Sequence, residues 1–148
     1  MRKTERNWSL LLLITFLSVS GFAEEVKHQL IVKVSGAKPY TGQAYLSLFS
    51  SQENYLKNPL VKKSKPIDNL GQATFVIDHL DSGTYAVSVV HDEDNNGKLN
   101  RGIMGIPTEL VGFSNNAKGT FGPPAFKETS FKISEKKTIE IVFGKAKE

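Results

Sequence analysis

The run His91-Asp92-Glu93-Asp94-Asn95-Asn96-Gly97-Lys98-Leu99-Asn100 gathers carboxylate and amide oxygens around one glycine. Asp92, Asp94 and Asn96 fall at alternate positions and Gly97 follows directly, which is the first half of the D-x-[DN]-x-[DN]-G calcium-loop pattern. The spacing has a chemical reason. A hard dication takes roughly six to eight oxygens, alternate residues aim side chains at one centre, and glycine permits the sharp turn that brings later ligands round. The candidate calcium ligands are therefore the side chains of Asp92, Asp94 and Asn96, the backbone carbonyl of Lys98, and Asn100 directly or through water. Ile103 stands where an EF-hand would place its bidentate carboxylate, so the pattern does not close locally. Glu109 is the candidate for the missing carboxylate, on the condition that Gly105 and Pro107 turn the chain back over the loop. Glu93 is out of phase and is expected to point away. The flanks read as strand and irregular chain, which excludes an EF-hand. A solvated Asx-rich turn uses the same residue types, and the sequence alone fits both readings.

Catalytic candidates are few. The histidines are His28, His79 and His91. His91 beside Asp92 would form a His–carboxylate pair suited to a small hydrolase. A structural imidazole bonded to a loop carbonyl is the stronger reading of His91. Ser114 lacks the Gly-x-Ser-x-Gly setting of an activated nucleophile. With no cysteine, neither a disulfide framework nor a thiolate metal site can form. The expectation is a non-enzymatic binding or interaction module, with a purely structural, metal-free domain as the alternative and the His91/Asp92 hydrolase behind both.

The elements that must position the acidic run have a two-residue apolar period. Leu30, Val32 and Val34 alternate with Ile31 and Lys33, and Ala44, Leu46 and Leu48 with Tyr45, Ser47 and Phe49. Ala73, Phe75 and Ile77 follow, then Tyr85, Val87 and Val89, then Phe131 and Ile133, then Ile139, Ile141 and Phe143. Long helical patterns are missing; Gln52 to Lys57 hints at a single turn limited by Pro59. The spacing predicts an all-β, antiparallel β-sandwich of about seven strands. The inward faces should carry Leu30, Val32, Leu46, Leu48, Phe75, Ile77, Tyr85, Val87, Ile139 and Ile141. In Leu80-Asp81-Ser82-Gly83-Thr84-Tyr85, Gly83 is expected to take positive φ and Tyr85 to enter the next strand facing the core. Residues 92–124 lack periodicity, and segments of that length in compact domains usually carry function. Leu99, Ile103, Met104, Ile106, Leu110, Val111, Phe113 and Phe121 should give this excursion a small core of its own.

Residues 1–23 read as a cleavable signal peptide: Arg2, Lys3 and Arg6, then the short apolar core from Leu10 to Val19, then Gly21-Phe22-Ala23. The apolar run is shorter than the ~20 residues that span a bilayer, and no cysteine follows it for lipidation. The remainder, 24–148, forms one domain, and roughly 120 residues bury a sufficient core without disulfides. Of the formal charge of +4, the leader carries three cations and one anion, leaving +2. Lys62-Lys63-Ser64-Lys65 is the one basic cluster and reads as a solvated loop. Without a basic stripe or interleaved aromatics, no nucleic-acid partner is implied.

Three motifs in order carry a resemblance: the acidic run at 91–100, Met104-Gly105-Ile106-Pro107-Thr108-Glu109, and Gly112-Phe113-Ser114-Asn115-Asn116. Together they resemble the bacterial secreted family catalogued as domain of unknown function 2141. Leu80-x-x-Gly83-x-Tyr85 is similar to a strand start found in transthyretin-like and collagen-adhesin B-type sandwiches, and the resemblance as a whole implies a transthyretin-like or Ig-like sandwich. The resemblance implies an exported sandwich and almost no biochemistry. It also implies that the second and third motifs belong with the acidic loop. The hydrolases among transthyretin-like sandwiches carry a C-terminal Tyr-Arg-Gly-Ser signature, which is absent here: this chain has Val142-Phe143-Gly144-Lys145.

The partner expected for such a module is an envelope protein, a peptide or a glycan, met in the periplasm or outside the cell and without stable membrane insertion. N-terminal sequencing of envelope-fraction protein should return Glu24 as the first residue. A cytoplasmic protein that keeps Met1 would contradict the signal-peptide reading.

Overall fold

Period-two alternation becomes strand wherever one face is buried, and the computed structural model shows eight strands among its described residues, 26–145. The expected leader, 1–23, lies outside them. The strands are β1 (His28–Ser35), β2 (Gln43–Phe49), β3 (Val61–Pro66), β4 (Ala73–Leu80), β5 (Gly83–Asp92), β6 (Val111–Phe113), β7 (Phe131–Ile133) and β8 (Lys137–Val142). One short helix, α1 (Phe126–Thr129), precedes β7. A three-stranded sheet has the order β4-β1-β8, and a larger sheet has the order β3-β2-β5-β6 with β7 also on β5. All pairings are antiparallel except β1 with β8, which is parallel. A parallel pair needs a long connection, and here the whole intervening chain provides it.

The two sheets form a sandwich around Leu30, Val32, Val34, Phe75, Ile77 and Ile141 on one side and Leu46, Leu48, Val87 and Val89 on the other. Each such side chain contributes roughly 1.5–3 kcal/mol by leaving water. Tyr85 is buried as expected and donates its hydroxyl to the Asp81 carbonyl at 3.0 Å. Ile139 is only partly buried, although it packs on the core.

Four expectations are corrected. The Lys62–Lys65 cluster is not a loop but most of β3, an edge strand paired with β2 from Leu48↔Val61 to Gln43↔Pro66. Its side chains are exposed on both faces, which erased the alternation; lysines on an edge also deter strand addition. Gly83 does not take positive φ. The left-handed residue is His79 (φ 60), near the shift in β1–β4 register between His28 and Leu30. Gly83 is small for another reason: a Cβ there would sit 3.3 Å from the Tyr85 ring. The excursion has no core of its own, since Ile103, Met104 and Phe121 are 91%, 90% and 96% exposed. Its residues Val111–Phe113 instead form β6, and Leu110 packs on the main core.

The Gly112–Asn116 motif also has a different place from the one implied. It splices strands and does not join the acidic loop. Beyond the last β5–β6 pair, Ser88↔Phe113, the buried Ser114 hydroxyl accepts the Val87 N–H at 2.9 Å and donates to the Thr129 carbonyl at 2.5 Å. The Asn115 amide donates to the carbonyls of Glu128 and Ser130, and Asn116 Oδ1 accepts from the Val142 N–H at 2.8 Å. Buried backbone groups need such partners wherever the ladder stops.

Two stability measurements check this register. Val87→Ala should leave a cavity and cost about 1–3 kcal/mol in denaturant unfolding, while Ser88→Ala, on the outer face, should stay within about 0.5 kcal/mol. The reverse order would mean a one-residue register error. Ser114→Ala should cost about 1–3 kcal/mol, because the buried Val87 N–H loses its acceptor; a neutral result would contradict the splice.

Candidate metal centre

The pleat of β5 sets the site. Val87, Val89 and His91 face the core, so Asp92 turns to the opposite face at the strand end, where it is 1% exposed. Its register partner is Gln43. The chain before β2 presses close: a Cβ on Gly42 (φ +68) would lie 2.0 Å from the Asp92 carbonyl oxygen. Only glycine fits that crossing.

Asp92 then caps its own loop. Its Oδ1 accepts the Asn96 N–H at 3.1 Å and its Oδ2 the Gly97 N–H at 2.8 Å. Asn95 (φ 58) and Gly97 (φ 73) take left-handed conformations, which Asn and Gly adopt most readily. Asp94 is exposed. Its Oδ1 accepts the Asn96 N–H at 3.2 Å, and its Oδ2 accepts the side-chain amides of Asn96 and Asn100, each at 2.9 Å. The Asn100 amide is the main influence holding the Asp94 carboxyl below its ordinary value of 3.8, which favours the charged form. The Lys98 N–H donates to Asn96 Oδ1 at 2.7 Å.

A hairpin then returns the chain. Arg101 bridges Pro107, the Gly102 N–H donates to Ile106, and the Thr108 N–H donates to Asn100. The tip is Ile103–Gly105, with Met104 at φ 62 and Gly105 at φ 73. Thr108 therefore lies beside Asn100, and Glu109 enters the acidic loop, 8% exposed. Its Oε1 accepts the Glu93 N–H at 3.1 Å and its Oε2 the Asn100 N–H at 2.9 Å. One carboxylate thus spans both ends of the loop. Glu93 points away and pairs with Lys38 at 3.1 Å.

Asp92, Asp94 and Glu109 each bring a carboxylate oxygen within 4.8 Å of the other two. Such a triad could hold a metal ion: hard oxygen donors with mutual repulsion suit a hard dication. Asn96 and Asn100 adjoin the triad through Asp94 but turn amide donors towards it, and Asn96 also donates to Asn100 Oδ1 at 2.8 Å.

The other candidates are elsewhere. His91 is buried on the core face, opposite Asp92, with Nε2 2.7 Å from the Thr41 carbonyl and its ring against Phe143. A carbonyl only accepts, so Nε2 carries the proton, and Nδ1 has no hydrogen-bond partner among the described residues. The adjacent residues therefore do not form an acid–base pair. His28 bonds the Ser82 hydroxyl at 2.8 Å, far along the chain from the triad. Ser114 is occupied as a strand splice. The sequence offered no hint of the Glu109 bridge beyond the turn residues, Gly105 and Pro107, that precede it.

Comparison with known proteins adds a family. No curated protein matches the sequence. Among solved structures, the major plantain pollen allergen Pla l 1 is similar at 11% identity and a TM-score of 0.29, over 83% of this chain and 98% of that one. That likeness is too low to carry an argument. The model of the family described as uncharacterized protein conserved in bacteria (DUF2141) matches residues 32–141, which hold β2 and β5, β1 from Val32 onward and the whole acidic triad. The chain belongs to that bacterial family.

Proposed function

We propose that this protein is an exported, non-enzymatic binding module whose Asp/Asn loop takes one calcium ion. The observation that carries the reading is the convergence of Asp92, Asp94 and Glu109, with Glu109 delivered by a hairpin into a loop that already has half of a calcium motif. Asp92, Asp94 and Glu109 supply the charged oxygens, and Asn96, Asn100 and the Lys98 carbonyl complete the shell. The signal-peptide pattern in residues 1–23 supports export into a calcium-bearing compartment.

Affinity should be low. Every carboxylate oxygen of the triad already accepts a hydrogen bond from the chain. An ion must therefore displace donors, the amides of Asn96 and Asn100 first. A dissociation constant of about 0.1–1 mM follows, as in extracellular modules. At ~1 mM calcium, a constant of ~0.1 mM stabilises the folded state by about 1.4 kcal/mol, which should raise the melting temperature by several degrees in a domain this small. Magnesium should do much less, because it gives up its water reluctantly.

A metal-free structural domain is the second reading, favoured by the same set of bonds that closes the loop without an ion. Melting curves separate the two. Calcium should raise the melting temperature of the parent protein relative to chelator; Asp94→Ala should abolish that response, and Glu109→Ala should weaken it. Curves that coincide in chelator and in about 5 mM calcium, well above the expected constant, would leave the loop as a hydrogen-bonded turn.

A further inference from the structure

The outer face of the larger sheet is covered at two places and open between them. At one end Phe49, Tyr55, Ala86 and Phe126 form a separate apolar cluster, with Tyr55 edge-on to both phenyl rings. At the other end Asp92 leads into the acidic loop. Between them lies a cavity of about 910 Å³ floored by the opposed pair Ser47 and Ser88 together with Val90. This volume is within the range of small-molecule sites, about 300–1,000 Å³.

Two features of the cavity are unusual for solvent-filled space. Its walls include Met104 and Phe121, large apolar side chains almost wholly exposed on separate parts of the excursion. Single exposed apolar residues are ordinary, but two on the rim of one concave space offer a ligand apolar surface to cover. The second feature is charge. Lys57, Lys62, Arg101, Lys118 and Lys145 line the cavity, and among the described residues no carboxylate does. None of these five cations has an ion-pair partner among the described residues.

We propose that this cavity binds a single-chain anionic amphiphile, of the class of long-chain carboxylates. The apolar chain would lie between the sheet face and the Met104 and Phe121 walls, and the head group would face the lysines and Arg101. The inference rests on the reading of the protein as a binding module, but the cavity and the acidic triad are distinct, so each can fail alone. Long flexible side chains such as methionine adapt to alkyl chains of varied shape. The cationic rim selects the sign of the head group.

Isothermal titration of the purified protein with four probes below their micellar concentrations tests this: dodecanoate, dodecan-1-ol, dodecyltrimethylammonium and acetate. Dodecanoate should bind with one site per chain, the alcohol and the ammonium at least about tenfold more weakly, and acetate not at all. Met104→Asp with Phe121→Asp should reduce dodecanoate affinity by about tenfold or more, whereas Leu70→Asp, exposed elsewhere, should leave it unchanged. Lys62→Glu with Lys118→Glu should shift preference to the ammonium. Absence of dodecanoate binding, equal binding of all three amphiphiles, or binding unmoved by the Met104/Phe121 change would each overturn the proposal. So would sedimentation showing a dimer that the Met104/Phe121 change dissociates, since a second copy of the chain would then be the occupant. Melting with and without calcium in the absence of amphiphile, and dodecanoate titration in chelator, keep the two sites apart: a calcium response without dodecanoate binding refutes the cavity proposal alone.

Discussion

The pleat of β5 is the constraint on which the rest of the structure depends. This strand is hydrogen-bonded on one side to β2 and on the other to β6 and β7, so its register cannot slip without breaking three partners. Alternation along it sends Val87, Val89 and His91 into the core and Ser88, Val90 and Asp92 to the outer face. The core, the cavity floor and the first carboxylate of the acidic loop are thus fixed by a single backbone geometry. The same alternation separates His91 from Asp92, which makes the imidazole a structural group beneath the loop and not a partner of the carboxylate.

At the end of β5 the problem changes from burying apolar surface to satisfying backbone donors. A loop leaving a buried strand end presents N–H groups that need acceptors. Asp92 takes those of Asn96 and Gly97, and Glu109 takes those of Glu93 and Asn100. Two buried carboxylates placed for this purpose, with Asp94 beside them, also concentrate negative charge. The hydrogen bonds that order the loop and the charge that would attract a cation have the same source. A cation here would compete with hydrogen bonds that the same carboxylates already accept, which favours weak binding over tight.

Most of the sandwich was legible in the sequence because one-sided burial writes itself as period-two alternation; Leu46, Leu48, Phe75, Ile77 and Val87 are where that alternation places them. β3 was hidden because an edge strand with lysine on both faces has no buried side to reveal. β6 was hidden because its three residues are set by pairing with β5 and not by their own pattern. The convergence of Asp92 and Asp94 followed from their spacing, whereas the arrival of Glu109 depended on a hairpin closed mostly by backbone bonds, with the Arg101 guanidinium on the Gly105 carbonyl as its side-chain bond. Ser114, Asn115 and Asn116 looked like loop residues for the same reason. Their role is to finish ladders that the sequence does not show ending. Met104 and Phe121 misled in the other direction: apolar residues in a long segment suggested a local core, and instead they stand exposed around a cavity.

If Asp92, Asp94 and Glu109 form one ion site closed by a hairpin, the ion itself should be visible. A crystal structure of the protein grown in millimolar calcium tests it most directly. Such crystals should hold a single ion with oxygens of all three residues at roughly 2.3–2.6 Å and the Asn96 and Asn100 amides displaced from Asp94. A loop with no ion and with Glu109 still holding the Glu93 and Asn100 N–H groups, in otherwise well-ordered crystals, would contradict it.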